Sequence, residues 1–553
     1  MPTLKSIAKK AGHSVSDLAF EARVLHESGI AGLIISPRPD TTLRAATTFR
    51  RWGPSPATGI TLAARKYPHE SALIDERGSL TFDEVHCRSN ALAHAFEAMG
   101  IGCGDGIGIM CRNHRGFVEA TLAAAKLGAS ALYLNTMFAG PQLVEVMERE
   151  GPKALVYDEE FAGLLDGLDE SIARVVGWCD SEAPPDGAST IDSLIAANDD
   201  SPFQPPPEKP RFIVLTSGTT GKPKGAQRSS PDGLLAMAAL IDKIPYRTRE
   251  TMMIAAPLFH SWGFFHFISS LPTASTIVLR RRFDEEETLR AVQEHRAQVL
   301  AVVPVMLQRI LRLPEETLDR YDLSSLRITA LSGSALPGEL AIEWMDRFGD
   351  TIYNLYGSTE IAYATVATPA DLRAAPGTAG RPPRGTVVRL YDENGREVPR
   401  GQVGRIFVGN EMAFEGYTGG GGKEVIDGLL SSGDVGHLDE AGRLFIDGRD
   451  DEMIVSGGEN VFPREVEDLL ADHAGVVEVA VIGVDDEEFG QRLKAFVVLA
   501  ADAELSEDAL KAHVKASLAA YKVPREIEFL DELPRNATGK ILKRELHARE
   551  ALR

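Results

Sequence analysis

Apolar positions fall into two rhythms along this chain. From about residue 70, short runs that are apolar at consecutive positions alternate with stretches whose apolar residues share one helical face. Phe212-Ile213-Val214-Leu215 and Val299-Leu300-Ala301-Val302-Val303 are runs of the first kind. Unbroken runs of this length predict strands buried on both faces of a parallel sheet. Thr81 and Glu84 have the spacing of a capping box, Val85, Leu92 and Phe96 line the helix that follows, and Gly100 ends it. Strands alternating with amphipathic helices predict an α/β fold.

The two ends of the chain read differently. Val15, Leu18, Ala19, Ala22 and Leu25 recur at helical spacing, which predicts a helix in an N-terminal extension, residues 1–53, that packs on the main body. Within it Arg44, Phe49, Arg50, Arg51 and Trp52 could make a weak contact with a membrane surface. Ser201 to Pro207 is proline-rich and reads as a surface crossing. Residues 377–422, rich in glycine and short alternating segments, suggest a small β-subdomain. Over the last hundred residues, Val477 to Val484 and Ala495 to Leu499 read as strands. Leu510, Val514, Leu518 and Tyr521 form a helical stripe stopped by Pro524, so this stretch reads as a separate unit.

Composition narrows the function. The 553 residues exceed what one ordinary core holds, so at least two domains are expected. The net charge of -21, with no basic run to offset it, argues against nucleic acid. A polyanionic substrate would need a local cluster of donors to overcome that field. Cys87, Cys103, Cys111 and Cys179 are scattered, which suits a reducing cytosol better than a disulfide framework or a zinc site. No stretch approaches the roughly 20 apolar residues that span a bilayer. Lys5, Lys9 and Lys10 resemble a signal n-region, but no apolar segment follows. The reading is a cytoplasmic protein.

The strongest chemical signal is Thr216-Ser217-Gly218-Thr219-Thr220-Gly221-Lys222-Pro223-Lys224-Gly225, behind the run that ends at Leu215. Glycines let a backbone approach phosphate, hydroxyls and backbone N–H groups donate to its oxygens, and lysines neutralise it. It is not the NTPase P-loop: that pattern needs glycine where Thr216 stands and Ser or Thr where Pro223 stands.

This loop resembles the phosphate-binding signature of the adenylate-forming superfamily, which includes acyl-CoA synthetases, peptide-synthetase adenylation domains and firefly luciferase. Four further motifs resemble that superfamily, in its order: Asn354-Leu355-Tyr356-Gly357-Ser358-Thr359-Glu360, Ser432-Gly433-Asp434, Gly448-Arg449-Asp450-Asp451 and Pro534-Arg535-Asn536-Ala537-Thr538-Gly539-Lys540. The resemblance implies a large N-terminal domain of parallel-rich sheets, helices and a small β-subdomain over 54–450. A small mobile α+β C-terminal domain over 451–553 would follow a hinge at Asp451. It also implies ATP, Mg²⁺ and CoA as cofactors.

The motifs have physical readings. Tyr356 offers adenine a flat face beside Gly357, and Asn354 can hydrogen-bond its edge. Thr359 can donate to the α-phosphate, and Glu360, with Thr216, supplies hard oxygen for Mg²⁺. Asp434 can accept the ribose hydroxyls, and Arg449 adds a planar donor fork. By the same resemblance, Ser334 and Ala335 of Ser332-Gly333-Ser334-Ala335-Leu336-Pro337 line the adenine and acyl pockets. His260 sits by the reacting carboxylate, Gly457 and Gly458 lie along the pantetheine tunnel, and Lys540 is the catalytic lysine of adenylation. His260 and His266 do not share a helical face, so they are no metal pair.

The expected reaction joins a small-molecule carboxylic acid to CoA through an acyl-adenylate, releasing AMP and pyrophosphate. The chain ends thirteen residues after Lys540 without a carrier domain, which favours free CoA. Asn135-Thr136-Met137-Phe138-Ala139-Gly140-Pro141 and Gly409-Asn410-Glu411-Met412 resemble bacterial fatty acyl-CoA ligases, so a medium- or long-chain fatty acid is expected. The alternatives are a ligase that gives the acyl group to an amine or a carrier protein, and a nucleotide-binding protein without catalysis. A homodimer is compatible with all of these.

Overall fold

Four of the apolar runs lie side by side, because strands buried on both faces need strand neighbours on both edges. In the computed structural model, Thr251–Ile254, Val299–Val302, Ile328–Leu331 and Ile352–Tyr356 are adjacent parallel strands of an eight-stranded sheet. Every residue of Val299–Val302 is fully buried. The structure describes residues 15–34, 39–182, 184–185, 188–208, 210–217, 223–228, 234–412, 414–417, 422–452, 454–456, 459–486, 490–501, 503–536 and 539–551.

A second eight-stranded sheet is parallel through Phe212–Ser217, Ser130–Tyr133, Gly106–Met110 and Ala154–Asp158. The helix predicted from Thr81 spans Phe82–Ala98. Its capping box is present: the Thr81 amide donates to Glu84 Oε2 at 2.7 Å, and the Glu84 amide to Thr81 Oγ1 at 3.2 Å. One hydrophobic core joins the two large sheets, with Phe96, Ile107, Leu300 and Trp344 all inside it.

The predicted β-subdomain differs in extent. Its antiparallel sheet comprises Val387–Tyr391, Gly404–Gly409, Val425–Ile426, Leu429–Leu438 and Leu444–Arg449, so it runs beyond residue 422. Phe414–Tyr417 instead pairs with Pro223–Arg228 in the second large one. The carboxy-terminal unit has its own sheet, in which Val476–Asp486 and Gly490–Leu499 pair antiparallel and Glu526–Phe529 joins in parallel. Val466, Val481, Val497 and Leu510 form a core separate from the rest. The helix Glu507–Ser517 stops short of Tyr521, which rides exposed on the turn Ala520–Lys522.

Among the described residues, the extension starts with the helix Val15–Glu27, whose buried face matches the predicted stripe only in part: Leu25 packs against the core. Ala19 and Ala22 are exposed, while Phe20 and Val24 are buried. Phe20 has far more apolar area to remove from water than either alanine, and that decides the face. Cys87, Cys103, Cys111 and Cys179 are free thiols. Among the described residues, no helix is long and apolar enough to cross a membrane.

His266 lies inside the core of the large domain. Its Nε2 accepts from the Tyr246 hydroxyl at 2.9 Å, and its Nδ1–H donates to the Trp262 carbonyl at 3.0 Å. Burial pushes this imidazole down to about 4. An unfolded histidine titrates near 6.5, so between those values the unfolded chain binds a proton that the folded chain refuses. Stability therefore falls as pH drops through this window, by up to about 1.4 kcal/mol per pH unit for one such site. His266→Gln can keep both hydrogen bonds without titrating. Thermal unfolding between pH 6.5 and 4.5 should lose less Tm in the variant than in the parent. An unchanged slope would remove His266 from the account.

Candidate active site

Parallel strands release their chain at one edge, and a cleft opens there. Ile352–Tyr356 delivers Asn354 and Tyr356 to that edge, followed by Gly357, Ser358, Thr359 and Glu360. Its neighbour Ile328–Leu331 delivers Ser334 and Ala335, and Thr251–Ile254 leads into the turn that carries His260. A Cβ on Gly357 would lie 2.2 Å from the Ala362 carbonyl oxygen, so only glycine allows the chain to double back so tightly here. All these residues line one continuous cavity of about 1,890 Å³, together with Asp434, Arg449 and Lys540.

On the nucleotide side, the Tyr356 hydroxyl donates to Asp434 Oδ2 at 2.6 Å, and Arg449 Nη1 lies 3.2 Å from Asp434 Oδ1. The Asp434–Arg449 pair follows from strand register, since the two residues are cross-strand partners. The Asp434 amide also donates to Ser432 Oγ at 3.0 Å. Burial, and then the charge of Asp434, push the Tyr356 phenol up. Tyr356 is thus a neutral donor that fixes one carboxylate oxygen, a role its place in the motif did not suggest. Asn354 is buried and its Oδ1 has no hydrogen-bond partner. An orphaned acceptor that lines a cavity fits an amino group of a ligand.

Glu360 is held by neutral groups. Its Oε1 accepts from the Tyr417 hydroxyl and its Oε2 from Ser358 Oγ, each at 2.9 Å. Neither hydroxyl compensates its charge, and a hard divalent cation fits a carboxylate so placed. Tyr417 was not legible as a site residue, because it lies 57 positions from Glu360 on a strand of the other large sheet. Thr359 Oγ1 lies 3.3 Å from Ser261 Oγ.

His260 precedes the helix Ser261–Ser270 and is turned to the cavity. Burial pushes its imidazole down to about 4, and its Nε2 has no partner. It is therefore neutral at pH 7, offering a hydrogen bond rather than a charge.

Lys540 sits on a tight turn. Its amide donates to Asn536 Oδ1 at 2.9 Å, and the Gly539 amide donates to the Asn536 carbonyl at 2.8 Å. Gly539 has φ +76°, and a Cβ there would meet Val305 at 2.2 Å. The turn is thus pressed against the helix Pro304–Leu311 of the large domain. Arg312 Nη2 on that side also donates to the Val477 carbonyl at 2.9 Å. The two domains stand so that Lys540 shares a cavity with Thr359 and Asp434.

The phosphate loop is placed only at its flanks. Thr216 pairs with Lys224 and Ser217 with Pro223 in an antiparallel ladder. The side chains of Thr216, Ser217 and Lys224 lie outside the described residues, as do Gly218, Thr219, Thr220, Gly221, Lys222, Gly457 and Gly458.

Comparison with known proteins follows this geometry. Residues 60–418 match the family model of the AMP-binding enzymes, and residues 465–540 match that of the AMP-binding enzyme C-terminal domain. The chain is 32% identical to the indoleacetate–CoA ligase of Aromatoleum aromaticum over 87% of its own length and 96% of that protein. It is 30% identical to the fatty acid–[acyl-carrier-protein] ligase ScoC of Streptomyces coeruleorubidus, over 88% of this chain and 94% of that one. Among solved structures, the anthranilate CoA ligase AuaEII in complex with anthranoyl-AMP superposes with a TM-score of 0.79 at 26% identity, covering 90% of this chain and 97% of that one.

Proposed function

The chain belongs to the AMP-binding enzymes, and from that premise we propose that it joins a medium- or long-chain fatty acid to CoA by way of an acyl-adenylate. The observation that supports a fatty acid is the apolar part of the cavity's lining, read here as its acyl arm, which includes Met237, Leu240, Phe265 and Ile268. Such a wall offers an alkyl chain burial and no hydrogen bonds. The carrier-protein ligase among the relatives favours a second reading, in which the thiol acceptor is carried on a protein. Release of AMP with free CoA, against a phosphopantetheinylated carrier protein, separates the two.

In the proposed mechanism, a carboxylate oxygen of the acid bonds to the α-phosphorus of ATP while the bond from that phosphorus to the bridging oxygen breaks. Pyrophosphate leaves. Two anions must meet, so stabilising charge as it shifts is the main task. Thr359 donates to an α-phosphate oxygen, and Lys540 sets its ammonium between that phosphate and the carboxylate. Neutral His260 orients the carboxylate without attracting it into an unreactive ion pair. Glu360 and Thr216 would hold Mg²⁺, whose charge offsets that of the phosphates. In the second step the CoA thiolate bonds to the acyl carbon and AMP leaves.

The second step needs a different partner over the same adenylate, and the hinge is proposed at Asp451. Asp450 is fixed to the large domain, its Oδ2 accepting from Arg405 Nε at 2.8 Å. Glu452 is fixed to the small one, its carboxylate 2.9 Å from Lys543 Nζ, which also pairs with Glu467 at 2.9 Å. Anchors of opposite allegiance on either side leave rotation to the residue between them.

Two outcomes are expected. Asp434→Ala removes a partly buried charged acceptor, and with it the bond that the Tyr356 hydroxyl donates. It should raise the KM for ATP by roughly 10- to 100-fold, the effect of a lost charged hydrogen bond, while the order of preference among acids stays as it is. Unchanged ATP kinetics would make Asp434 a turn residue only. Lys540→Ala should lower the rate of acyl-AMP formation by about 10²–10³, measured as pyrophosphate exchange. It should leave conversion of supplied acyl-AMP and CoA to acyl-CoA nearly intact, with circular dichroism checking the fold. Equal loss of both half-reactions would falsify the role given to Lys540.

A further inference from the structure

The match to the AMP-binding enzyme model begins at residue 60. The cavity does not begin there. Ile30 and Phe49, both from the extension, line it with Gly59, Leu62 and Leu271. We propose that the helices of the extension, Val15–Glu27, Ala31–Ile34 and Pro39–Trp52, are the end wall of the acyl arm, with Phe49 and Ile30 as the side chains that limit how long an acid the enzyme accepts. The inference rests on the reading that this arm holds the acyl chain.

A wall must be fixed to be selective, and this one is fastened along its length. Arg23 Nη2 lies 2.8 Å from Asp242 Oδ1, and Arg384 Nη2 donates to Ser16 Oγ at 2.8 Å. The guanidinium of Arg384 covers the ring of Phe20, 4.8 Å from its centroid. The Thr248 amide donates to the Ser28 carbonyl at 2.9 Å, directly beside Ile30. On the other helix, Arg65 Nη1 donates to Thr48 Oγ1 at 2.7 Å, next to Phe49. Lys66 reaches the Gly32 carbonyl.

The elements behind the wall belong to the acyl arm itself. The helix Leu235–Lys243 meets the extension through Asp242 and lines the cavity through Met237 and Leu240. The helix Pro56–Lys66 approaches the end of the helix that follows His260 so closely that a Cβ on Gly59 would lie 2.6 Å from Leu271 Cβ. Phe49 lies on the helix Pro39–Trp52 and lines the cavity, whereas Leu43 on the same helix is 69% exposed and does not. The Phe49 ring is half-buried against the cavity while Arg44, Arg50 and Arg51 face solvent. This placement argues that Phe49 serves the cavity rather than a membrane surface.

The test is acid selectivity. Phe49→Ala, Ile30→Ala and Phe49→Trp are compared with the parent for AMP release on straight-chain acids of graded length and on ω-phenylalkanoic acids of graded length, with thermal melts as a check on folding. Each methylene newly buried changes kcat/KM by roughly 4-fold. Phe49→Ala and Ile30→Ala should therefore raise the ratio of long-acid to short-acid kcat/KM by about 10-fold or more, and move the optimum by about two to four carbons. Phe49→Trp should move it the other way. Ratios identical in all four proteins would overturn the inference, as would a uniform loss across every acid in a folded variant. An enzyme that used only the phenylalkanoic series would end the fatty-acid reading, and the wall would be scored on that series instead. An enzyme that released AMP with none of the acids would end both.

Discussion

Burial of the central parallel strands on both faces is the constraint on which the site depends. Thr251–Ile254, Val299–Val302, Ile328–Leu331 and Ile352–Tyr356 can be covered only if each chain leaves the sheet and returns through a helix. Parallel order then puts all four exits on one edge. The turns that leave that edge carry His260, Ser334, Ala335 and Asn354 to Glu360, so residues a hundred positions apart line one cavity. Glycine at Gly357 serves the same constraint, because the chain must reverse there with no room for a side chain.

A chain with net charge -21 has to handle anionic substrates against its own field. The structure answers locally. Charged groups in the cleft are fixed by neutral partners or by one opposite charge: Glu360 by Tyr417 and Ser358, and Asp434 by Tyr356 and Arg449. His260 is kept neutral by burial. The site is thus organised by hydrogen bonds among its own side chains. Its orphaned acceptor on Asn354 marks where one hydrogen bond is still owed.

The chain also divides into parts that are packed together to different degrees. The small domain has a separate core, and its contacts with the large one include single hydrogen bonds such as Arg312 to Val477. Packing of that kind can be exchanged for another arrangement at modest cost, whereas the joined core of the two large sheets cannot. The extension belongs with that joined core, tied down by Arg23, Arg384 and Thr248.

What was legible in the sequence was local. Capping at Thr81 and Glu84, the buried strands and the α/β alternation depend on periods a few residues long, and each is present as read. The ordered motifs pointed to the family because their residue types and spacings are themselves the signal. Tertiary packing decided the rest. It turned Phe20 and Val24, rather than Ala19 and Ala22, to the core, and paired Phe414–Tyr417 with Pro223–Arg228 in the second large sheet. It joined Tyr417 to Glu360 and Tyr356 to Asp434, and brought Ile30 and Phe49 to the lining of the cavity. Each of these joins positions far apart in the chain. A tyrosine or phenylalanine carries no mark of its distant partner, so only the packed structure, which satisfies all such contacts together, selects among the pairings the sequence allows.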